Sequence, residues 1–365
     1  MEVRAEAAES TPIRPGREPA RARPRVVALL GPDNAGDAIA TAIAGAPGRL
    51  DVAVYEVGPG YAGQLATAAR DKRVRLLLDA HNAGGANPAT LARLAGTAVA
   101  VRRLGARGAE AHWKLILAGA DTLLVGSGNL IARDAPRHAA GATAPLAGTR
   151  EWWLMVSGAR ALVAQARRAL NAAWARAAGP ADVAAEGAAA GPDRGVAPPV
   201  GIPLPQVAPL TAEVALAGLR LATDAPTCAA LLASHLAAAR RRLLVTVPYV
   251  HPRAPAVAPL LACLRTAAAA GLDVRLLLGS VPDDPAAATP SELRRLGFAV
   301  RVMDPLRSTT GHAKGLVADE TVVAGSCNWS QGGLHGNLEA ALAVADAAVA
   351  APFTAAFERD WEASG

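Results

Sequence analysis

Cysteine, aromatic residues and long apolar runs are all scarce in this sequence. The 365 residues include three cysteines, Cys228, Cys263 and Cys327, and only 3% are aromatic. An odd and small number of cysteines excludes a disulfide framework, and their spacing does not match a zinc site. No run of 18 or more apolar residues occurs, so the sequence offers no transmembrane helix. We therefore expect a folded protein whose cysteines stay reduced in a cytoplasmic setting.

Lysine is rarer still, and its positions are informative. Of 37 basic residues only Lys72, Lys114 and Lys314 are lysine, and the last two each stand two residues after a histidine, His112 or His312. The net charge of +6 suits an anionic partner, such as a phosphodiester or an acidic membrane surface. An arginine-rich composition alone produces the same excess, so the lysine positions carry more weight than the charge.

The chain contains two copies of one unit. The segment Val-Arg-Leu-Leu-Leu occurs at Val74–Leu78 and again at Val274–Leu278, and the two His-x-Lys pairs have the same separation of 200 residues. A period this long indicates a duplicated half rather than a solenoid. Short apolar runs rich in valine and leucine predict buried parallel strands, and the segments after each His-x-Lys predict hairpins. Each half is therefore predicted to be an α/β sandwich.

Composition divides the chain further. The N-terminal residues alternate charge and proline without the apolar segment of a secretory signal. A stretch rich in alanine, proline and glycine separates the two copies and predicts a linker. The predicted divisions are a disordered tail (1–24), a first half (25–178), a linker (179–209) and a second half (210–365).

Each half repeats one set of polar residues at nearly equal spacing. The sets are His112, Lys114, Gly126, Ser127 and Asn129 in the first half, and His312, Lys314, Gly325, Ser326 and Asn328 in the second. Alternation along a strand puts the histidine and the lysine on one face, about 6–7 Å apart. A hairpin then returns the serine and asparagine alongside, and the glycine before each serine lets the backbone approach a ligand. An imidazole, an ammonium, a hydroxyl and a carboxamide together suit a multiply charged oxyanion beside a nucleophile.

These paired segments resemble the two HKD motifs of the phospholipase D superfamily, and the resemblance covers about residues 25–365 without the linker. It implies two similar α/β/α sandwich halves with mixed sheets, related by a pseudo-two-fold axis and meeting at one active site. It also implies that one histidine attacks phosphorus to give a phosphohistidine while the other protonates the leaving oxygen. We assign His112 as the nucleophile and His312 as the acid, although the sequence itself leaves the two interchangeable.

The resemblance also implies an acid downstream of each motif. We assign Glu151 to His112 and Glu339 to His312, because a carboxylate on the far ring nitrogen would fix the imidazole tautomer. The motif aspartate is Asp319 in the second half, whereas the first half has Gly119 there. We interpret the motif aspartate as a support for the hairpin, a role that Asp121 can take in the first half.

The predicted activity is that of a phospholipase D-type phosphoric diester hydrolase acting on phospholipid head groups at a membrane surface, with transphosphatidylation as a further outcome. No cofactor or metal is expected, because two lysines supply the positive charge and no histidine–carboxylate cluster has ligand spacing. Both motifs lie in one chain, which predicts a monomer. The alternatives are a metal-independent nuclease acting on DNA or RNA, and a non-catalytic homologue that binds anionic lipid or nucleic acid. Four tryptophans near the motifs fit either a substrate mouth or the core: Trp113, Trp152, Trp153 and Trp329.

Overall fold

The structure is a computed structural model. It describes residues 23–82, 85–106, 109–139, 142, 144–179, 209–279, 284–304 and 310–365. Apart from residues 23, 24, 179 and 209, the predicted tail and linker lie outside these ranges, so both stay predictions.

Strands and helices alternate through the described part of the first half. Its strands are β1 (Arg25–Gly31), β2 (Arg49–Val54), β3 (Arg73–Asp79), β4 (Ala100–Ala106), β5 (Ala109–Glu110), β6 (Lys114–Ala118), β7 (Thr122–Gly126) and β8 (Glu151–Ser157). Its helices are α1 (Ala35–Gly45), α2 (Pro59–Ala68), α3 (Asn87–Leu94) and α4 (Arg160–Arg176).

The second half follows the same pattern. Its strands are β9 (Leu210–Glu213), β10 (Leu219–Ala222), β11 (Arg242–Val247), β12 (Asp273–Leu278), β13 (Ala299–Val302), β14 (Gly315–Ala318), β15 (Thr321–Gly325) and β16 (Ala341–Ala345). Its helices are α5 (Ala225–Ala238), α6 (Ala258–Ala269), α7 (Pro290–Arg294) and α8 (Ala347–Glu362). Thr289 and Glu292 form the predicted capping box at the start of α7.

The two sheets have one strand order. The order β4-β3-β2-β6-β7-β8-β1 in the first sheet corresponds strand by strand to β13-β12-β11-β14-β15-β16-β10 in the second. In each sheet one three-strand group is parallel, and the hairpin strands that follow are antiparallel. This correspondence confirms the predicted pair of mixed α/β halves. One strand departs from the predicted division, since β9 pairs with β1 and so extends the first sheet.

Apolar side chains fill three layers. One cluster lies between the two sheets, where Trp152 of the first half packs against Phe353 of the second at a ring-centroid distance of 5.0 Å. The other two clusters lie on the outer faces, under α1 and α2 in the first half and under α5 and α6 in the second. All four tryptophans near the motifs are at most 2% exposed, so they belong to the core and not to a substrate mouth.

Candidate active site

The two His-x-Lys pairs occupy equivalent places in the two sheets. Lys114 begins β6 and Lys314 directly precedes β14, and each of these strands is the fourth and central one of the shared seven-strand order. Each strand continues into its predicted hairpin, β6 with β7 and β14 with β15. The structure therefore confirms that chain reversal brings Asn129 and Asn328 to the same end of the sheets as the histidines.

The glutamates pair with the histidines across the two halves. His112 Nδ1 lies 2.9 Å from Glu339 Oε1, and His312 Nδ1 lies 2.6 Å from Glu151 Oε1. The predicted pairing of Glu151 with His112 and of Glu339 with His312 is therefore wrong. Within one sheet β7 separates β6 from β8, which places their backbones about 10 Å apart. The facing sheet brings the other half's glutamate closer than that.

Backbone hydrogen bonds between the halves fix this exchange. The Arg150 N–H donates to Thr310 O at 2.8 Å, and the His312 N–H donates to Arg150 O at 3.0 Å. At the pseudo-equivalent place the Leu338 N–H donates to Glu110 O at 2.9 Å. In both halves, the residue before the glutamate thus bonds to the residue two before the histidine of the other half.

The motif serines hold the glutamates. Ser127 Oγ donates to Glu151 Oε2 and accepts from the Trp152 N–H at 2.9 Å. Ser326 Oγ makes the same pair of bonds, to Glu339 Oε2 and from the Ala340 N–H at 3.0 Å. Both hydroxyls are fully buried and satisfied. The prediction that these serines bind substrate is therefore wrong.

The motif glycines likewise serve packing. A Cβ on Gly126 would lie 2.0 Å from Trp153 Cδ2, and a Cβ on Gly325 would lie 2.4 Å from Ala340 O. The space that the missing side chains leave is filled by the protein itself. Both glycines do allow a close approach, as predicted, but the group that approaches is another part of the protein and not a ligand. The predicted substrate-binding role is therefore wrong for both glycines.

Three further side chains complete the histidine–glutamate pairs, and sequence reasoning missed all of them. Thr149 Oγ1 donates to Glu151 Oε1 at 3.1 Å, and Asn337 Nδ2 donates to Glu339 Oε1 at 3.2 Å. Both stand two residues before their glutamate, so alternation along the strand could have revealed them. Asp134 lies beside the Glu151 pair and has no counterpart of its type in the repeat, so no repeat signal could reveal it.

The two lysines are buried cations at the centre of the site. Lys114 Nζ donates to His112 O at 3.0 Å, and Lys314 Nζ donates to His312 O at 2.7 Å. Burial lowers the pKa of Lys114 to about 8 and that of Lys314 to about 7. Carboxylates nearby, including Glu151 and Glu339, oppose the shift. The two lysines therefore place buried, titratable positive charge beside the two histidines.

The histidines differ in their surroundings. The His112 side chain is 8% exposed and packs edge-on against Tyr55 at a ring-centroid distance of 5.2 Å, whereas the His312 side chain is 28% exposed. Burial, aided by Lys114 and Lys314, lowers the pKa of His112 well below its usual range. This shift favours the neutral imidazole at His112.

The motif asparagines both carry a buried amide oxygen. Asn129 Nδ2 donates to Asp134 Oδ2 at 3.0 Å. The Oδ1 atoms of Asn129 and Asn328 are buried and accept no hydrogen bond from the residues that the structure describes. Unsatisfied buried acceptors are uncommon in proteins and concentrate at functional sites.

The motif aspartate supports its hairpin as predicted. Asp319, at a φ of +53°, accepts the backbone N–H groups of Arg240, Arg241 and Arg242 at 2.8–3.0 Å and so joins the β14–β15 turn to the start of β11. Gly119 takes the equivalent left-handed position, at a φ of +65°. Asp121 accepts a hydrogen bond from Thr122 in its own turn at 3.2 Å, which is a local contact and not a substitute for the three bonds of Asp319.

One group of side chains has metal-ligand character. One ligand atom each from Asp134, Glu151 and His312 lies within 4.8 Å of the others. All four carboxylate oxygens of this group already accept hydrogen bonds, from Thr149, Ser127, Asn129, Arg133 and His312. Lys314 Nζ also lies 3.1 Å from His312 Nδ1. A cation would have to displace this set of donors, so the residues do not fit a metal.

Comparison with known families bears on the second half directly. Residues 232–361 match the family described as cardiolipin synthase, phospholipase D-like domain. The matched segment contains His312, Lys314, Asn328 and Glu339. Residues 232–361 are therefore similar to a phospholipase D-like domain. The sheet of the first half has the same strand order as the sheet of this matched half.

Solved structures agree over nearly the whole chain. Phosphatidylserine synthase of Haemophilus influenzae Rd KW20 is 14% identical with a TM-score of 0.65, and the match covers 93% of this chain and 86% of that one. Polyphosphate kinase of Porphyromonas gingivalis is 15% identical with a TM-score of 0.55, over 91% of this chain and 50% of the kinase. Identities this low establish the phospholipase D-like fold only. No curated protein sequence matches the chain.

None of the helices in the described ranges is long and apolar enough to cross a bilayer.

Proposed function

We propose that this chain is a phospholipase D-type phosphodiesterase that cleaves phospholipid head groups through a phosphohistidine. The observation that carries the proposal is the reciprocal pairing, in which each imidazole is held at Nδ1 by a glutamate of the other half. A carboxylate on Nδ1 directs the reactive lone pair or proton to Nε2. Two such imidazoles beside two buried ammonium groups make a site for a tetrahedral phosphorus.

The first step is a displacement at phosphorus. His112 Nε2 attacks, an N–P bond forms, and the P–O bond to the leaving alcohol breaks. His312 donates its Nε2 proton to the leaving oxygen, which departs as a neutral alcohol. In the free protein Lys314 Nζ lies 2.8 Å from His312 Nε2. A bound phosphoryl oxygen would draw this ammonium away and leave Nε2 to the alcohol.

The second step reverses the roles. Neutral His312 takes a proton from water, the resulting oxygen attacks phosphorus, and the N–P bond breaks to return His112. An alcohol in place of water gives transfer instead of hydrolysis. The burial that keeps His112 neutral supports its assignment as the nucleophile, because only the unprotonated ring can attack.

A lipid substrate has support from the comparisons. The matching family is named for cardiolipin synthase, and one solved structure of this fold is a phosphatidylserine synthase. Both names describe enzymes of phospholipid chemistry, so lipid is favoured over nucleic acid. Both names also describe synthases, so transfer to an alcohol is the main alternative to hydrolysis.

The test is head-group release by purified protein in EDTA, from mixed micelles of phosphatidylcholine, phosphatidylethanolamine or phosphatidylglycerol, with ethanol added to detect transfer. We expect turnover in the wild type and a loss of at least 1,000-fold in His112→Ala and His312→Ala, since each change removes a reacting group. His235→Ala, on α5, is the matched histidine control. Cleavage of DNA or RNA without lipid turnover would favour the nuclease, and no turnover of either class would favour the non-catalytic homologue.

A further inference from the structure

We propose that Arg133 is a substrate-binding residue that selects alcohols carrying an anionic group, either a carboxylate or a second phosphate. Its guanidinium lies on the side of the site where the proposed reaction places the alcohol. The inference rests on the proposed function, because that reaction fixes which side of the phosphorus the alcohol occupies.

The position of the alcohol follows from the displacement. A nucleophile and a leaving group lie roughly in line on opposite faces of the phosphorus. With His112 as the nucleophile, the leaving oxygen faces His312, which donates the proton. The His312 side chain is also the more open of the two, at 28% exposed against 8% for His112. The alcohol therefore extends on the His312 side, among the residues around that ring.

One carboxylate ties Arg133 to that side. Arg133 Nε donates to Asp134 Oδ1 at 3.2 Å, and the other oxygen of the same carboxylate, Oδ2, lies 3.9 Å from His312 Nδ1. Asp134 is fully buried and is held by further bonds from Asn129 and Thr149, so its position is fixed. A single immobile carboxylate thus separates the guanidinium from the imidazole.

Most of the guanidinium is left for a ligand. The Arg133 side chain is 54% exposed, and within the described ranges the bond from Nε to Asp134 is its only side-chain hydrogen bond. A guanidinium carries five N–H donors in a planar fork, which binds a carboxylate or a phosphate through two parallel bonds. The four N–H donors of the two Nη atoms therefore suit an anionic group of the substrate.

The carboxylates around Arg133 keep it charged. Burial opposes the charge, but Asp134, Glu56 and Glu151 raise the pKa of Arg133 above its ordinary value. Both oxygens of Asp134 and both of Glu151 already accept hydrogen bonds from the protein. Glu56 accepts the Ala86 N–H through Oε1 at 2.6 Å, and it forms no ion pair with Arg133 among the residues that the structure describes. Glu56 therefore favours an alcohol whose anion is accompanied by an ammonium group.

The second half has no equivalent of this cation. Arg133 stands four residues after Asn129, and the residue four after Asn328 is Gly332. Glycine offers no side chain to a ligand, so the repeat supplies a guanidinium at this place in one half only. The half that supplies it is the one whose Asp134 reaches His312.

Binding of phosphorylated alcohols tests the proposal without turnover. O-phospho-L-serine and phosphoethanolamine differ by one carboxylate, and glycerol 1,3-bisphosphate and glycerol 1-phosphate differ by one phosphate. Isothermal titration calorimetry of the full chain gives the four dissociation constants. We expect the ligand with the additional anion to bind about tenfold or more tightly in at least one pair, as a charge-assisted, bidentate contact predicts. A preference in the serine pair identifies a carboxylate as the anion, and a preference in the glycerol pair identifies a phosphate.

The variants show whether Arg133 causes the preference. Arg133→Met should reduce it to less than about threefold by weakening the anionic ligand alone, and Arg133→Lys, which loses the fork but keeps the charge, should give an intermediate value. Arg137→Met is the matched control, because Arg137 lies on the same loop but packs over the Tyr61 ring at 4.8 Å, and it should leave the preference unchanged. In mixed micelles, Arg133→Met should lower kcat/KM for phosphatidylserine more than for phosphatidylethanolamine.

The outcomes separate the two proposals. A preference that depends on Arg133, in a protein that turns over no lipid, overturns the proposed function alone. Equal binding within both pairs in the wild type overturns the role of Arg133, as does a preference that Arg133→Met leaves unchanged or a failure of all four ligands to bind. Equal losses for both members of a pair also overturn it, because they would mean that Arg133 only supports Asp134. If Arg133→Met does not fold, the preference measured in Arg133→Lys decides.

Discussion

Replacing Arg150 with methionine should lower the free energy of unfolding by about 3–5 kcal/mol, because the change removes one partner of a buried ion pair and leaves the other without a counter-charge. The Arg150 side chain is 1% exposed and binds Asp360 through two bonds, Nε to Oδ2 at 2.7 Å and Nη2 to Oδ1 at 3.1 Å. Its Nη1 donates to Gly31 O at 2.9 Å. Asp360, 2% exposed and near the end of α8, would be left buried without this partner.

Urea denaturation followed by tryptophan fluorescence measures this loss. Arg150→Met combined with Asp360→Leu should recover part of the stability, because it removes the carboxylate that Arg150 binds most closely and leaves only the longer contact to Asp33, at 3.4 Å, without its partner. Arg241→Met, which removes an ion pair in which both side chains are more than 60% exposed, should change stability by less than about 1 kcal/mol. A loss below 1 kcal/mol in Arg150→Met, or a double variant less stable than the single one, would refute the reasoning.

Three shorter predictions concern packing, the hairpin and pH. Gly126→Ala, whose Cβ would overlap an indole ring, should lose about 1–3 kcal/mol in the same assay, whereas Gly45→Ala meets open space and should lose nothing. Asp319→Ala leaves three backbone donors unpaired and should cost roughly 1–2 kcal/mol while kcat stays unchanged, and a drop in kcat would contradict a purely supporting role. Phosphate inhibition should weaken tenfold or more between pH 6 and pH 9 as Lys314 and then Lys114 lose their protons at about pH 7 and 8. The same lysines titrate near 10.5 when unfolded, so the unfolded chain binds more protons above pH 7 and their contribution to stability should rise with pH towards 10.5.

Local patterns predicted the elements well. The repeated Val74–Leu78 and Val274–Leu278 runs lie within β3 and β12, and each His-x-Lys pair begins a hairpin as its spacing indicated. Such features depend on neighbours a few residues away, so composition and alternation are enough to find them. The fold class followed once two copies of the same pattern were recognised.

The contacts of the site were harder to predict because they join distant segments. His112 and Glu339 are 227 residues apart, and His312 and Glu151 are 161 apart, whereas the predicted pairs were the nearer ones along the chain. The separation of two residues along the sequence does not indicate which faces of the two sheets pack against each other. The serine hydroxyls were misassigned for a related reason, since a buried carboxylate competes with substrate for the same donor and only the structure shows it.

The exchange of glutamates explains why one chain holds both copies. Each half supplies a histidine whose Nδ1 partner belongs to the other half, so a separated half would expose an unpaired ring and a buried carboxylate without its donor. Catalysis then depends on the interface and not on either sandwich alone. Exact two-fold symmetry, however, would make both histidines equally acidic, while the proposed reaction needs one ring neutral and one charged. Duplication accounts for the pair of imidazoles, and their unequal exposure, 8% at His112 against 28% at His312, distinguishes the two rings.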